Sequence, residues 1–272
     1  MSIDFSDDAF VNVYDNCPLW SSQFGYTIMD NIDFRRDTIV LDVGTGTGFP
    51  AIEIAERIGN NSIVYAIDLW ETVLKRAAVK ASQHDVRNIV FQNASVLDMP
   101  FADGFFDLVV SNNCLNNVPE YDEALKECHR VLKTGGRIIQ TFNLPDSFQE
   151  FYDVFRALLI EKEMTDEIKA LNKHIFEKRK SIDYTVKKIE QAGFSVTAIS
   201  EHSFSWRFCN GTSLLNYSFV KIAFLSGWKE IVNESQREEF FFELEQKLNA
   251  YARENGELNL KIPYACIVAE KQ

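Results

Sequence analysis

The chain has 272 residues, 46% of them apolar, which is enough to bury a substantial core and argues against intrinsic disorder. Its 28 Lys+Arg against 40 Asp+Glu give a formal net charge of −12, which works against a sequence-independent grip on nucleic-acid phosphates. Five scattered cysteines without C-x-x-C spacing suggest neither a disulfide framework nor a zinc site, and no leader-like N-terminus or apolar run of ~18 residues marks secretion or a membrane span. A cytoplasmic protein with no metal, nucleic-acid or membrane partner is therefore expected, and the basic run at 173–180 reads as a solvated helix face.

The predicted elements begin with an apolar strand at 38–41 that runs into the turn Asp42-Val43-Gly44-Thr45-Gly46-Thr47-Gly48. A periodic helix at 50–58 is stopped by Gly59-Asn60-Asn61, and a second buried strand at 62–67 ends at Asp68. A helix at 71–83, a strand at 89–93 and a strand at 106–111 follow; the amphipathic helix at 120–132 is expected to close at Gly135-Gly136 before a strand at 137–142. Such alternation implies right-handed crossovers and a parallel sheet covered on both faces, a doubly wound α/β fold. Beyond residue 142 the rhythm breaks: 147–179 is almost all helix-forming, a helix at 184–191 precedes a strand at 194–199, helices are expected at 212–225 and 236–253, and 258–269 closes as a strand. The expected organisation is an N-terminal helical lid at 1–36 and one Rossmann-like domain at 37–272, with helical cap insertions at about 145–182 and 205–256.

The glycine turn carries the chemistry. Glycines let a strand-to-helix loop turn sharply and lie close to a bound nucleoside. A dinucleotide fingerprint, G-x-G-x-x-G, would put its third glycine at position 49, which is Phe49; here it is Gly48, and Asp42 stands two residues before the first. Asp42 would repel pyrophosphate and attract a ligand carrying an ammonium group. Asp68, ~20 residues further on, is placed where a carboxylate accepts ribose hydroxyls.

This pattern resembles motif I of class I S-adenosylmethionine-dependent methyltransferases, and residues 38–142 resemble their catalytic core, best the small-molecule branch that includes ubiquinone and menaquinone biosynthesis methyltransferases. The resemblance implies a mostly parallel seven-stranded sheet in the order 3-2-1-4-5-7-6, with the last strand antiparallel. It implies that Asp42, Gly44, Thr45, Gly46 and Gly48 line the methionine end of S-adenosyl-L-methionine, that Asp68 holds the ribose, and that Leu69 or Trp70 packs on the adenine. Where the family usually has Gly-Asp-Ala after strand three, this chain has Gln92-Asn93-Ala94, and the Asn93 oxygen can accept from the adenine amine, though more weakly than a charged acceptor. Ser111 and Asn112, at the end of strand four, would face cofactor and substrate. Tyr14 or Trp20 would lie across the sulfonium from a preceding helix.

A sulfonium methyl needs alignment in a dry site more than activation, so no catalytic signature is required. A base matters only for an acceptor protonated at neutral pH; His174, His202 and Tyr184 are the candidates, and Cys114 is read as a buried apolar-like residue. Twenty-two phenylalanines, several of them at 148–155 and 204–219, suggest a hydrophobic or aromatic small-molecule acceptor. The alternatives are a non-catalytic S-adenosylmethionine-binding protein and an NAD-type oxidoreductase or epimerase, the latter disfavoured by Asp42 and the glycine spacing.

Overall fold

A computed structural model describes residues 7–17 and 19–272, so residues 1–6 and 18 of the expected lid lie outside it. In chain order the elements are α1 (Asp8–Asp15), α2 (Leu19–Asp30), β1 (Ile39–Val43), α3 (Ala51–Ile58), β2 (Ile63–Asp68), α4 (Glu71–Gln83), β3 (Ile89–Asn93), β4 (Phe106–Asn112), α5 (Tyr121–Val131) and β5 (Leu132–Asn143). Then come α6 (Gln149–Glu161), α7 (Thr165–Lys178), α8 (Ile182–Gln191), β6 (Phe194–Phe208), α9 (Gly211–Asn216), α10 (Ser218–Ala223), α11 (Leu225–Glu230), α12 (Arg237–Asn255) and β7 (Leu258–Lys271). The seven strands form one sheet in the order β3-β2-β1-β4-β5-β7-β6, as the resemblance implies.

Two compact units emerge. The first gathers the described residues up to Phe142 with Ser181–His202 and Tyr264–Gln272; the second consists of Asn143–Lys180 and Ser203–Pro263. In the first, β1 pairs in parallel with β2 and β4, and β2 with β3, in a register that sets Asp42 beside Ala66 and Val110, and Asp68 beside Asn93. The apolar residues Ala51, Ile54, Ala55 and Ile58 recur at one-turn spacing along α3, which gives that helix one buried stripe. The stripe packs with Ile28 and Met29 of α2, and Ile32 just beyond it, against Val40, Val64, Ala66, Leu108 and Val110 of the sheet. Leu41, Val43 and Val109 point to the opposite face and are buried too, which is why these strands read as continuous apolar runs.

Helix α2 owes its close approach to Gly25. A Cβ there would stand 2.2 Å from Cε1 of Phe49, the residue that takes the place of a dinucleotide fingerprint's third glycine.

Three expectations are corrected. Gly135-Gly136 does not close α5: the chain turns extended at Leu132, whose residue pairs with Phe106, and the register jumps so that Leu108 meets Arg137, with 133–136 taken up in the irregularity. The strand expected at 194–199 runs on to Phe208. The single helix expected at 212–225 is broken into α9 and α10, because Tyr217 is extended (φ −62°, ψ 128°) with its ring edge-on to Trp206 at 5.5 Å and tilted against Phe208 at 5.6 Å, and a second break at Phe224 separates α10 from α11.

The second unit is built around aromatic side chains. Phe151 stacks on Trp228 at 4.1 Å, Trp228 donates its indole N–H to the Tyr152 hydroxyl at 3.0 Å, and Phe155 meets Phe240 at 4.9 Å. Phe148, Phe151, Tyr152 and Phe155 are all essentially inaccessible, so most of the aromatic residues singled out in the sequence form this unit's core.

Gly25→Ala is expected to lower stability by about 1–3 kcal/mol through overpacking against Phe49, and the Phe49→Ala background to reduce that penalty. Urea unfolding of both single variants and the double variant checks this; strict additivity counts against the contact.

Candidate functional site

The site forms where β1, β2 and β3 end. After Val43 the backbone enters the left-handed region at Gly44 (φ 70°) and Gly46 (φ 54°). At Gly44 the need is also spatial, because a Cβ would meet the Cys114 Sγ at 2.0 Å. The turn is stitched to the next strand: the N–H groups of Gly44 and Thr45 donate to the Ile67 carbonyl at 2.9 and 3.0 Å, and that of Gly48 to the Thr45 carbonyl at 2.9 Å.

Asp68 completes the stitching. Its Oδ2 accepts from the Gly46 N–H at 2.9 Å and its Oδ1 from the Trp70 N–H at 3.1 Å. A carboxylate offers about four lone-pair positions, so each oxygen keeps capacity for a ligand hydroxyl. Burial raises the Asp68 carboxyl above its ordinary pKa, opposed by the N–H groups of Gly46, Trp70 and Leu69. Asn93 donates its amide N–H groups to the carbonyls of Asp68 at 3.1 Å and Leu69 at 2.9 Å, which aims its Oδ1 away from them. The Ala94 N–H reaches the Asp68 carbonyl at 3.1 Å, while Leu69 (63% exposed) and Trp70 (39%) leave apolar surface open beside it.

Asp42 is the anomaly. It is wholly buried, and both of its carboxylate oxygens, together with Thr45 Oγ1, lack a hydrogen-bond partner. Burial pushes its carboxyl up to about 7; the nearby Thr45 hydroxyl and Ala51 N–H, which face it without a well-formed hydrogen bond, oppose the rise, and the Asp68 charge adds to it. An orphaned carboxylate in a dry glycine turn is satisfied by a cation with N–H donors.

The N-terminal helices reach the same place. Tyr14 lies over the turn: a Cβ on Gly46 would stand 3.8 Å from its ring, and burial, with the negative charges of Asp68 and Asp15, pushes its hydroxyl up to about 12. Val11 packs with Val73 and Leu74 of α4, and Asp15 receives Lys80 Nζ at 2.6 Å and Arg76 Nε at 2.7 Å. Burial raises the Asp15 carboxyl, but the hydrogen bonds from Lys80, Arg76 and Thr47 more than offset it, so its pKa is lowered. Asn112 donates to the Ser21 carbonyl of α2 at 3.2 Å, and Ser111 Oγ accepts the Leu115 N–H at 3.1 Å.

Of the residues singled out in the sequence, the structure thus brings Tyr14, Asp42, Gly44, Thr45, Gly46, Gly48, Asp68, Leu69, Asn93 and Ala94 around one turn, with Cys114 beside it. Trp20 is buried against Phe24, ring centroids 5.2 Å apart. His202 is exposed, bonded to Ser200 Oγ at 3.0 Å and stacked on Tyr264. Tyr184 sits at the start of α8 with Lys188 over its ring, and His174 lies in the second unit. The clamp at Asp15 was missed. Arg76 and Lys80, four apart on one helix face, were a signal for an acidic partner, but nothing in the sequence names one 61 residues away.

These features fit S-adenosylmethionine: an unpartnered buried acid for its ammonium, an acid at the end of β2 for its ribose, an amide oxygen at the end of β3 for its adenine, and no phosphate cradle. The fold and this turn are those of class I S-adenosylmethionine-dependent methyltransferases. A family model described as a methyltransferase domain matches residues 34–193, more than half of the chain, and the chain belongs to that family, with S-adenosylmethionine as its cofactor. A demethylmenaquinone methyltransferase of Listeria monocytogenes is 36% identical over 129 residues, 46% of this chain and 54% of that protein; an arsenite methyltransferase of Halobacterium salinarum is 28% identical over 48% of this chain and 35% of its own length. The chain spans about half the length of the first of these relatives. In fold it resembles a putative methyltransferase from Bacillus halodurans (TM-score 0.62, 19% identity, 91% of this chain and 98% of that one). Another is the Bacillus subtilis protein YcgJ (TM-score 0.61, 16% identity, 92% and 99%). Among the described residues, no helix is long and apolar enough to cross a membrane and no group of side chains is arranged to hold a metal ion.

Asp42 in the ligand-free protein takes up its proton below about 7, so pairing with an ammonium expels that proton. S-adenosylmethionine affinity is expected to rise with pH, by at most about tenfold per unit, until about pH 7 and then level off, and Asp42→Asn is expected to bind more weakly without that slope. Titration calorimetry across pH decides it; an identical slope in the variant removes Asp42 from the ammonium role. Asp15, with its lowered pKa, contributes stability that is complete above the ordinary carboxylate range and lost as pH falls through the lowered value. Asp15→Asn should therefore cost about 1–3 kcal/mol at neutral pH and much less in acid, as read by urea midpoints at the two pH values.

Proposed function

We propose that this protein transfers the methyl group of S-adenosylmethionine by direct displacement to a small hydrophobic or aromatic molecule in the cytoplasm. The observation that carries the reading is Asp42, a buried carboxylate with both oxygens unpartnered inside the glycine turn. Asp42 holds the ammonium, Asp68 the ribose hydroxyls and the Asn93 oxygen the adenine amine, with Leu69 or Trp70 on the adenine face. Thr45 Oγ1, also unpartnered, adds a hydroxyl at the methionine end. The cofactor, when bound, supplies a methyl on a positively charged sulfur that needs no further activation. Tyr14 covers the turn, excludes water and presents a ring face suited to a sulfonium; its raised pKa keeps it a neutral phenol at physiological pH.

The acceptor has to be deprotonated or be a neutral nucleophile with a free lone pair. His174, whose pKa burial and the charges of Arg179 and Lys178 depress to about 4, is an uncharged imidazole at neutral pH and so a competent proton acceptor in form. The five cysteines are free, and Cys114 has its thiol pushed up to about 12 by burial, which disfavours a thiolate-based acceptor site at the turn. The demethylmenaquinone relatives support an aromatic acceptor more than a metalloid one.

Asp68→Ala should weaken S-adenosylmethionine binding by roughly 1.5–3 kcal/mol, the scale of hydrogen bonds to a charged group. Incubation with methyl-labelled cofactor and fractionated extract should place label in the small-molecule fraction. Label confined to RNA or protein overturns the acceptor class, and binding without any transfer supports a non-catalytic binding protein.

A further inference from the structure

The second unit contains a cation with nothing to answer it. Arg179, the residue after α7, is 3% exposed, and its Nε and Nη1 are buried without a hydrogen-bond partner. Among the described residues no carboxylate forms an ion pair with it. Its guanidinium lies over rings: the guanidinium carbon stands 5.1 Å from the centroid of Tyr152 and 5.6 Å from that of Phe148. Both rings are fixed. Tyr152 takes the Trp228 indole N–H, and Phe148 packs edge-on against Phe224 at 5.1 Å and Trp228 at 6.1 Å. Phe148 also has left-handed backbone (φ 63°), a conformation that costs a bulky residue energy and persists only where the surroundings impose it.

Such an arrangement is unfavourable on its own. A guanidinium stays charged at every physiological pH, so it cannot escape burial by losing a proton. Cation–π attraction offsets part of the desolvation, but ring faces do not satisfy in-plane N–H donors. Each of the two edges by which a guanidinium grips a carboxylate includes one of the two orphaned nitrogens, and that planar fork matches two oxygens held in one plane. The neighbouring His174 brings no negative charge, being a neutral imidazole.

We propose that Arg179 is the anion-binding residue of this unit and that its ligand is an aromatic or hydrophobic small-molecule acid whose carboxylate fills the guanidinium N–H groups while its apolar body lies among the surrounding rings. The inference goes beyond the proposed function: it gives this unit a ligand class of its own. It also accounts for a costly residue that an apolar core would replace with a methionine at a gain.

The test uses the full chain, with R179M and R179K, and a probe set of 2-naphthoate, cinnamate and decanoate, each beside its uncharged primary amide. Calorimetry on the wild type should show at least one acid binding more tightly than its amide; R179M should lose that preference by roughly ten- to hundredfold with amide binding unchanged, and R179K should lie between them. R179M should melt no lower than the wild type without ligand, whereas a purely structural arginine would leave a less stable protein. If no acid is preferred over its amide, or if R179M keeps the preference, the proposal is overturned. Should R179M fail to fold, R179K alone decides by the same comparison, because it keeps the charge and loses the fork. S-adenosylmethionine binding is measured on the same samples: its absence with acid binding intact defeats the methyltransferase reading alone, and its presence with R179 indifferent defeats the anion site alone.

Discussion

The carboxylate of Asp68 accepts backbone N–H groups from Gly46 and Trp70, and through that one side chain the loops leaving β1 and β2 are held in a fixed relation. The rest of the site is arranged about it: Asn93 clasps the carbonyls on either side of it, and Tyr14 and Cys114 come close enough to feel its charge. Using an acid for this purpose in a dry turn has a consequence for Asp42. Its ionised form sits buried near a second negative charge, and the Thr45 hydroxyl and Ala51 N–H only partly relieve it, so its carboxyl is raised to about 7. A positive charge placed beside the two acids would remove the conflict.

The N-terminal helices are fastened beside that turn, with Tyr14 of α1 3.8 Å from where a Gly46 Cβ would stand. α1 is held at its end by Asp15, which takes two cations from α4, and along its length by Val11. α2 is held by the close seat of Gly25 against Phe49 and by Asn112. One fastening is electrostatic and the other steric, and the electrostatic one is the one that salt or pH loosens.

Much of the first unit was legible because its signals are local. Strand, glycine turn and helix follow one another within a few residues, and Asp42, Asp68 and Asn93 are readable as ligand groups because each stands at the C-terminal end of a parallel strand. The corrections have tertiary causes. Residues 212–225 carry helix-compatible residues throughout, and only the rings of Trp206 and Phe208 around Tyr217 reveal why the helix breaks there. The sequence 173–180 read as a basic helix face, and much of it is; that Arg179 turns inward among Phe148 and Tyr152, with His174 packed against Tyr152 as well, is a property of packing that no charge count contains. Asp15 was likewise unremarkable until α4 supplied its partners.

The second unit has no continuous chain of its own. It is assembled from Asn143–Lys180 and Ser203–Pro263, and the intervening α8 and the first part of β6 belong to the other unit. Its aromatic core joins rings from both segments, as when Phe148 and Phe151 of one meet Trp228 of the other. A unit interleaved in this way cannot be cut out, donated or exchanged as a cassette. Removing either of its two segments removes ring partners of the other.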